Sequence, residues 1–471
     1  MWSTLIGLIL LYLSAGYFLG GRWADRSPRA DVLYRIVAWG AFLIGLVPFA
    51  AHPILSLTSI GFADFNAALL AGSFVAALIL FSVPITLLGC VSPFAIRLAV
   101  DDVSHAGNVS GRIYAISTVG SFFGTFLPVL VLIPAIGTRN TFVLLSLVLM
   151  AIGLIGLGRR AVRLAWMPMA IIGLAVFIQP DIKSTAGTIF QTESSYNYIQ
   201  VVKRGDTRYL LLNEGQGVHS IYNPNRIDSA GTWDFFTLAP YFNLPPTADR
   251  LQRVAIVGLA AGTIPRQYTA AFGAVPIDGI EIDPRIVQTG RDYFGMDLPN
   301  LNVLVADGRF ALKRSAYRYD VVGLDAYRLP YIPWHLTTVE FFQQVRDHLR
   351  DDGVVAINVG HAGSDYRLVE ALAATLAQVF PSVHIADVPN TFNTIVYATA
   401  QLTSPDNLRA NLDAMTHPMV RGAAERALLN LRAPSPGGIV FTDDHAPVEQ
   451  LTNSILVNYL LGIASGEIVL P

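Results

Sequence analysis

Residues 254–283 read VAIVGLAAGTIPRQYTAAFGAVPIDGIEID, and this stretch decides the fold of the C-terminal half. Four apolar residues, Val254–Val257, run into a glycine turn, Gly258-Leu259-Ala260-Ala261-Gly262-Thr263, that opens a helical stretch. A second apolar run at 277–282 then ends in Glu281-Ile282-Asp283. Short unbroken apolar runs bounded by turn residues are the signature of strands buried on both faces, and the helical stretch between them makes a βαβ unit. The glycines let backbone approach a ligand, while the helix N-terminus offers N–H donors and partial positive charge. Glu281 stands 23 positions after Gly258, where an acid can accept both hydroxyls of a ribose.

Downstream the pattern repeats. Strands are predicted at 302–305, 320–324 and 354–358, which makes an open, largely parallel sheet of the Rossmann type. The third strand ends in Asp307-Gly308, an acid suited to accept from an adenine amino group beside a residue that permits close approach. With Gly258, Gly262, Glu281 and Asp283, these residues make a nucleoside site at the carboxyl edge of the sheet. The fourth strand ends in Asp325-Ala326-Tyr327-Arg328. A carboxylate facing the same crevice can steer or deprotonate a nucleophile, so Asp325 is the catalytic candidate. Upstream, alternating stretches at 198–202 and 209–213 read as hairpin strands of a small β-rich domain.

The N-terminal part is different in kind. Hydrophobic residues make up 53% of the 471-residue chain and charged residues only 14%, and the shortage of charge falls in the first 180 positions. Apolar runs at 1–19, 32–51, 63–89, 113–136, 141–157 and 164–178 predict about six membrane spans, the sixth short and containing Pro168. Small residues such as Ser117, Gly120, Ser121 and Gly124 predict close helix packing in lipid. Arginines at 22, 26, 29 and 35, at 97 and 112, and at 159, 160 and 163 fall on alternate loops, which places those loops in the cytoplasm. Six spans would then put the C-terminal half outside, whereas a cytosolic cofactor requires it inside. The two agree if the sixth run does not cross. A multi-pass protein of the cell (inner) membrane is expected. Four domains follow: 1–180 transmembrane, 181–250 β-rich, 251–400 Rossmann-like and 401–471 a C-terminal helical segment. A net charge of −2 supplies no basic field for nucleic acid, and the single cysteine, Cys90, builds neither a disulfide nor a cysteine-rich metal site.

In their order along the chain, Glu193-Ser194-Ser195-Tyr196, Asn213-Glu214-Gly215, the glycine turn, Glu281-Ile282-Asp283, Asp307-Gly308 and Asp325 resemble the spermidine synthase (polyamine aminopropyltransferase) family over about 188–380. The segments Leu19-Gly20-Gly21-Arg22-Trp23, Val91-Ser92-Pro93, Gly111-Arg112-Ile113-Tyr114 and Thr442-Asp443-Asp444-His445-Ala446-Pro447 are similar to its membrane-fused members. The resemblance implies S-adenosylmethionine or its decarboxylated form as co-substrate, no metal, and transfer of an aminopropyl group to an amine with release of methylthioadenosine. Glu281 would hold the ribose, Asp307 the adenine, and Asp325 the attacking amine. Tyr196, Asn197, Glu214, Gln216, His219, Tyr327, Arg328, Asp443 and Asp444 would contact substrate.

Two departures matter. An aspartate of the family's glycine turn is replaced here by Ala261, and an acid three residues after the catalytic one is replaced by Arg328. An arginine repels a polyamine and pairs bidentately with a carboxylate, which opens a second reading: a lyase or methyltransferase acting on intact S-adenosylmethionine. Asp443, Asp444 and Glu449 offer the opposite, an acidic pocket rebuilt from the C-terminal segment. A third reading is a transporter or sensor with a nucleoside pocket and no turnover. Expected partners are a small molecule and the lipid bilayer, with a homo-oligomer as a further option.

Overall fold

The computed structural model describes residues 2–61, 68–100, 102, 105–178, 185–213, 217–327, 331–435 and 437–464. Glu214, Gln216 and Arg328, three of the expected substrate contacts, lie outside them. The chain divides into two compact units: residues 1–184 with 193–195, and residues 185–192 with 196–471.

The first unit is helical: α1 (Trp2–Arg26), α2 (Ala30–Gly61), α3 (Ala68–Gly89), α4 (Val91–Ala99), α5 (Ala106–Leu127), α6 (Ile133–Leu157) and α7 (Trp166–Phe177). Four stretches among the described residues are long and apolar enough to cross a membrane, against the six predicted: Leu5–Arg26, Ala30–Ala51, Phe74–Ala99 and Ala106–Leu164. The fourth merges two predicted runs into 59 residues, joined by a π-helical turn at Pro128–Leu132 and broken where Gly137 leaves helical geometry at φ 79° and ψ 163°. The sixth run is a helix of only 12 residues, roughly 18 Å at 1.5 Å per residue and short of a ~30 Å hydrocarbon core.

Small residues bring helices together, but not the ones expected. A Cβ on Gly16 of α1 would sit 2.8 Å from the Cα of Gly89 in α3, so those backbones touch. Ser146 of α6 donates to the Ala41 carbonyl of α2 at 2.8 Å, an interhelical bond inside the apolar unit. Gly120 and Gly124, by contrast, face open space, and none of the described side chains of α5 is buried.

The second unit holds two sheets. The four-stranded antiparallel one runs in sequence order: β1 (Thr188–Glu193), β2 (Tyr198–Arg204), β3 (Thr207–Leu212), β4 (Val218–Tyr222). The seven-stranded one contains β5 (Val254–Val257), β6 (Ile277–Glu281), β7 (Leu301–Val305), β8 (Tyr319–Leu324), β9 (Leu349–Gly360), β10 (Ser382–Asp387) and β11 (Asn393–Thr399) in the order β10-β11-β9-β8-β5-β6-β7. The five predicted parallel strands are present, and a hairpin the sequence reading did not predict, β10–β11, closes one side antiparallel. Alternate residues feed opposite faces: Ala255, Val257, Val322 and Leu324 pack with Phe341 and Leu372, while Val254, Ile256, Val321 and Ala356 pack with Phe236 and Tyr268. Both faces are therefore covered, which is why these strands are apolar without alternation.

The strand order reverses at β5, whose neighbours are β6 on one side and β8 on the other. Ligands of open α/β sheets bind at such a switch point, outside the carboxyl ends of the strands. Helices on the sheet include α8 (Thr232–Phe236), α9 (Thr263–Phe272), α10 (Pro284–Phe294), α11 (Gly308–Lys313), α12 (Val339–Asp347) and α13 (Arg367–Leu376). The chain continues through α14 (Asp406–Ala410) and α15 (Pro418–Ala427) to α16 (Val448–Ala464).

Candidate active site

Register aligns the site. Val257 of β5 pairs with Ile280 of β6 and with Leu324 of β8, and Leu324 pairs with Ile357 of β9. One residue beyond that row stand Glu281, Gly258, Asp325 and Asn358, side by side across four strands at the carboxyl edge. Packing on both faces fixes this register, because a one-residue slip would exchange the side chains fitted to the two different cores.

Asp325 is held on both oxygens. The Trp233 indole N–H donates to Oδ2 at 3.0 Å, and Asn358 Nδ2 donates to Oδ1 at 2.9 Å. Burial pushes its carboxyl up to about 6, with the bonds from Asn358 and Trp233 pulling the other way. A carboxylate tuned there is ionised at neutral pH yet basic enough to take a proton. Gly258 makes room for it: with φ at +85°, a Cβ at that position would lie 2.5 Å from the Asp325 carbonyl. Tyr327 follows, its hydroxyl donating to the Asn358 carbonyl at 3.2 Å, and burial drives that phenol well above its ordinary value.

Glu281 is buried beneath the glycine turn. Ala260, in the left-handed region at φ 49°, donates its N–H to Oε2 at 2.9 Å, and the Asp283 N–H donates to Oε1 at 3.1 Å. Desolvation outweighs these bonds and raises its carboxyl to about 7. The next N–H of the turn, that of Ala261, donates to Ser220 Oγ at 2.9 Å, which ties the turn to β4. Gly262 opens α9, again with φ at +86°.

Asp283 is fully buried and belongs to the scaffold: it caps α10 through the Arg285 N–H at 2.9 Å and accepts from Asn197 Nδ2 at 3.0 Å. Asn197 in turn accepts from Asn213 Nδ2 at 3.0 Å. These contacts place the Asp283 carboxylate and the half-buried Asn197 amide at the joint between the β2–β3 hairpin and α10.

Asp307 caps α11 through the Phe310 N–H at 3.0 Å and lies 2.9 Å from His335 Nε2. Burial pushes its carboxyl up, but the bonds from Phe310 and His335 prevail and hold it below the usual range. A Cβ on Gly308 would run into the Val257 side chain, so that helix seats directly against β5. Tyr196 is exposed, whereas His219 Nε2 is buried without a hydrogen-bond partner and burial lowers that imidazole to about 4. Of the three acids expected to rebuild an acidic pocket, Asp443 has both its oxygens gripped by Arg309 at 2.8 Å, while Asp444 and Glu449 are exposed and not held by that cation. Among the described residues no cluster of metal-ligating side chains occurs.

Three contributors escaped the sequence reading. Asn358 ends a predicted strand next to that of Asp325, so the strand-end rule could have found it. Trp233 lies in an aromatic stretch, Trp233-Asp234-Phe235-Phe236, with no spacing that marks it. His335 follows a proline-rich loop and carried no signal either.

Comparison with known proteins bears on this edge. Residues 245–407 match the spermine/spermidine synthase domain family. A probable polyamine aminopropyl transferase of Bifidobacterium longum is 31% identical over 283 residues, covering 56% of this chain and 61% of that protein. The chain thus spans under two thirds of that relative's length. A polyamine aminopropyltransferase of Vibrio vulnificus is 28% identical over 246 residues, 50% of this chain and 79% of that one. Among solved structures, a probable spermidine synthase from Corynebacterium glutamicum overlaps 55% of this chain and 97% of its own at 18% identity and a TM-score of 0.45.

Proposed function

We propose, from the match of residues 245–407 to the spermine/spermidine synthase domain family, that this protein transfers an aminopropyl group from decarboxylated S-adenosylmethionine to an amine. The observation that carries this reading is Asp325, poised at the switch point between Trp233 and Asn358 with its carboxyl near 6. Glu281 takes the ribose hydroxyls and Asp307 the adenine amino group, which sets the aminopropyl carbon over the β5–β8 crevice. The neutral amine attacks that carbon in line; a C–N bond forms as the C–S bond breaks, and its electron pair leaves with sulfur as neutral methylthioadenosine. Asp325 receives the proton that the amine sheds. Positioning supplies most of the rate, because the sulfonium is already an activated leaving group.

One observation favours a second reading. Ala261, where the family carries an acid for the aminopropyl ammonium, has no carboxylate and is buried. Intact S-adenosylmethionine, as a lyase or methyl-transfer substrate, needs none there. Incubation with each sulfonium and a panel of amines, followed by mass spectrometry, separates the two. Methylthioadenosine with a lengthened amine, formed only from the decarboxylated donor, supports transfer. Methylthioadenosine with homoserine or its lactone, or S-adenosylhomocysteine, formed from the intact one, overturns it. Uptake with no product at all would favour the transporter or sensor reading.

The apolar helices support a further proposal, that the chain resides in the cell (inner) membrane as a multi-pass protein. Their length and hydropathy are the support. The shortness of α7 favours a cytosolic face for the enzyme, where its donor is made.

A further inference from the structure

Thr442-Asp443-Asp444-His445 form a tight turn in which Thr442 and His445 exchange backbone bonds of 3.1 and 3.0 Å. Phe441 before it and Val448 after it are fully buried, so the turn is anchored in the core. The Asp443 carboxylate meets Arg309 as a fork, both Nη atoms at 2.8 Å, and also accepts from Thr338 Oγ1 at 2.7 Å. Its own N–H donates to Glu340 Oε2 at 2.9 Å. Arg309 also donates to the His335 carbonyl at 3.2 Å and to Gln344 Oε1 at 3.3 Å. His335 Nε2 then lies 2.9 Å from Asp307 Oδ2.

These bonds join four separate pieces of chain: the start of α11, the turn at Trp334–Leu336, the start of α12 and the C-terminal turn. A guanidinium fork on a carboxylate fixes a plane as well as a distance, so Asp443 orients Arg309, and Arg309 holds the backbone of the turn that carries His335. The Asp307 carboxylate is held by Phe310 on one oxygen and His335 on the other, with the Arg309 N–H close by, and the side chain is still 38% exposed, which leaves room for an incoming amino group.

We propose that Asp443 and Arg309 are positioning residues for Asp307, so that the C-terminal turn sets how strongly the site prefers a purine bearing a 6-amino group. This rests on Asp307 being the adenine acceptor. Asp443 acts through Arg309 and His335, whereas Arg309 acts both through His335 and directly, its backbone N–H and its charge favouring the Asp307 carboxylate.

Calorimetric binding of methylthioadenosine and of its 6-deamino analogue to the full-length protein tests this in wild type, R309M, D443N and R309K. Wild type prefers the amino compound by roughly tenfold or more, the worth of a hydrogen bond to a charged acceptor. R309M and D443N lose most of that preference while their affinity for the 6-deamino analogue holds. R309K, a cation without the fork, recovers only part of it. The unchanged 6-deamino affinity certifies that a variant is folded, and near-isosteric D443N carries the test if R309M is not. Variants that keep the wild-type preference overturn the proposal, as do variants that lose both ligands equally, the mark of a merely structural role. A wild type that binds both compounds without preference removes Asp307 as adenine acceptor and the proposal with it. A wild type that binds neither refutes the nucleoside site itself.

Discussion

Asp325 owes its chemistry to two neighbours as much as to its own carboxyl. In N358A the hydrogen bond that favours the ionised form is gone, so the carboxyl rises by about one unit, and the acid limb of the pH–rate profile moves upward from near 6 by that amount. W233F does the same from the other oxygen. The sign follows from the proposed role: only the carboxylate can accept the amine's proton, so activity is lost as pH falls through the Asp325 value. The proposed role of Glu281 toward the donor has the same sign. Its ionised form is the better acceptor for two hydroxyls, so donor affinity measured by calorimetry tightens as pH rises through about 7. Toward folding the sign reverses. With a folded value above the ordinary 4.5, the stability Glu281 contributes is complete below that value and lost as pH rises through about 7. Asp325 and Glu281 could be named from the sequence because strand ends of an apolar sheet are where polar residues need a reason. Trp233 could not, since an aromatic residue 92 positions away meets Asp325 only through the fold.

Among elements, the β5–α9 turn does the most. Gly258 combines a left-handed φ with a carbonyl at 2.5 Å, so G258A costs at least ~2 kcal/mol and displaces Asp325. Denaturation midpoints should fall and kcat with them, whereas G273A, where a Cβ meets open space but φ is also positive, should cost stability and spare kcat. The turn was legible because glycine spacing after an apolar strand has few other meanings. The β10–β11 hairpin was missed for the opposite reason. Its strands, residues 382–387 and 393–399, are joined by Val388-Pro389-Asn390-Thr391-Phe392, which lacks the glycine that marks a tight turn. The C-terminal acids were read as a ligand pair, yet Asp443 spends its charge on Arg309. Sequence spacing carries no trace of a cation 134 positions upstream.

At the scale of the molecule, two units of unlike composition share one chain. Periodicity separated them, because unbroken apolar runs of helical length and short apolar runs between glycines call for different surroundings. It also read Ala106–Leu164 as two runs, 113–136 and 141–157, and Gly137, which leaves helical geometry, falls between them. Proposed residence in the membrane predicts that the protein sediments with membranes and leaves them with detergent but not with alkaline carbonate. Release by carbonate would contradict it.

Asp325→Asn tests the central claim most directly. Asn has the shape of Asp, and a flip of the Asn358 amide, whose Oδ1 has no partner, would satisfy the new donor, so the edge stays intact. Single-turnover measurement with decarboxylated S-adenosylmethionine and an amine, beside calorimetric binding of methylthioadenosine, should find affinity near wild type and product formation down by ~10²-fold or more. Turnover at the wild-type rate in D325N would contradict the catalytic assignment.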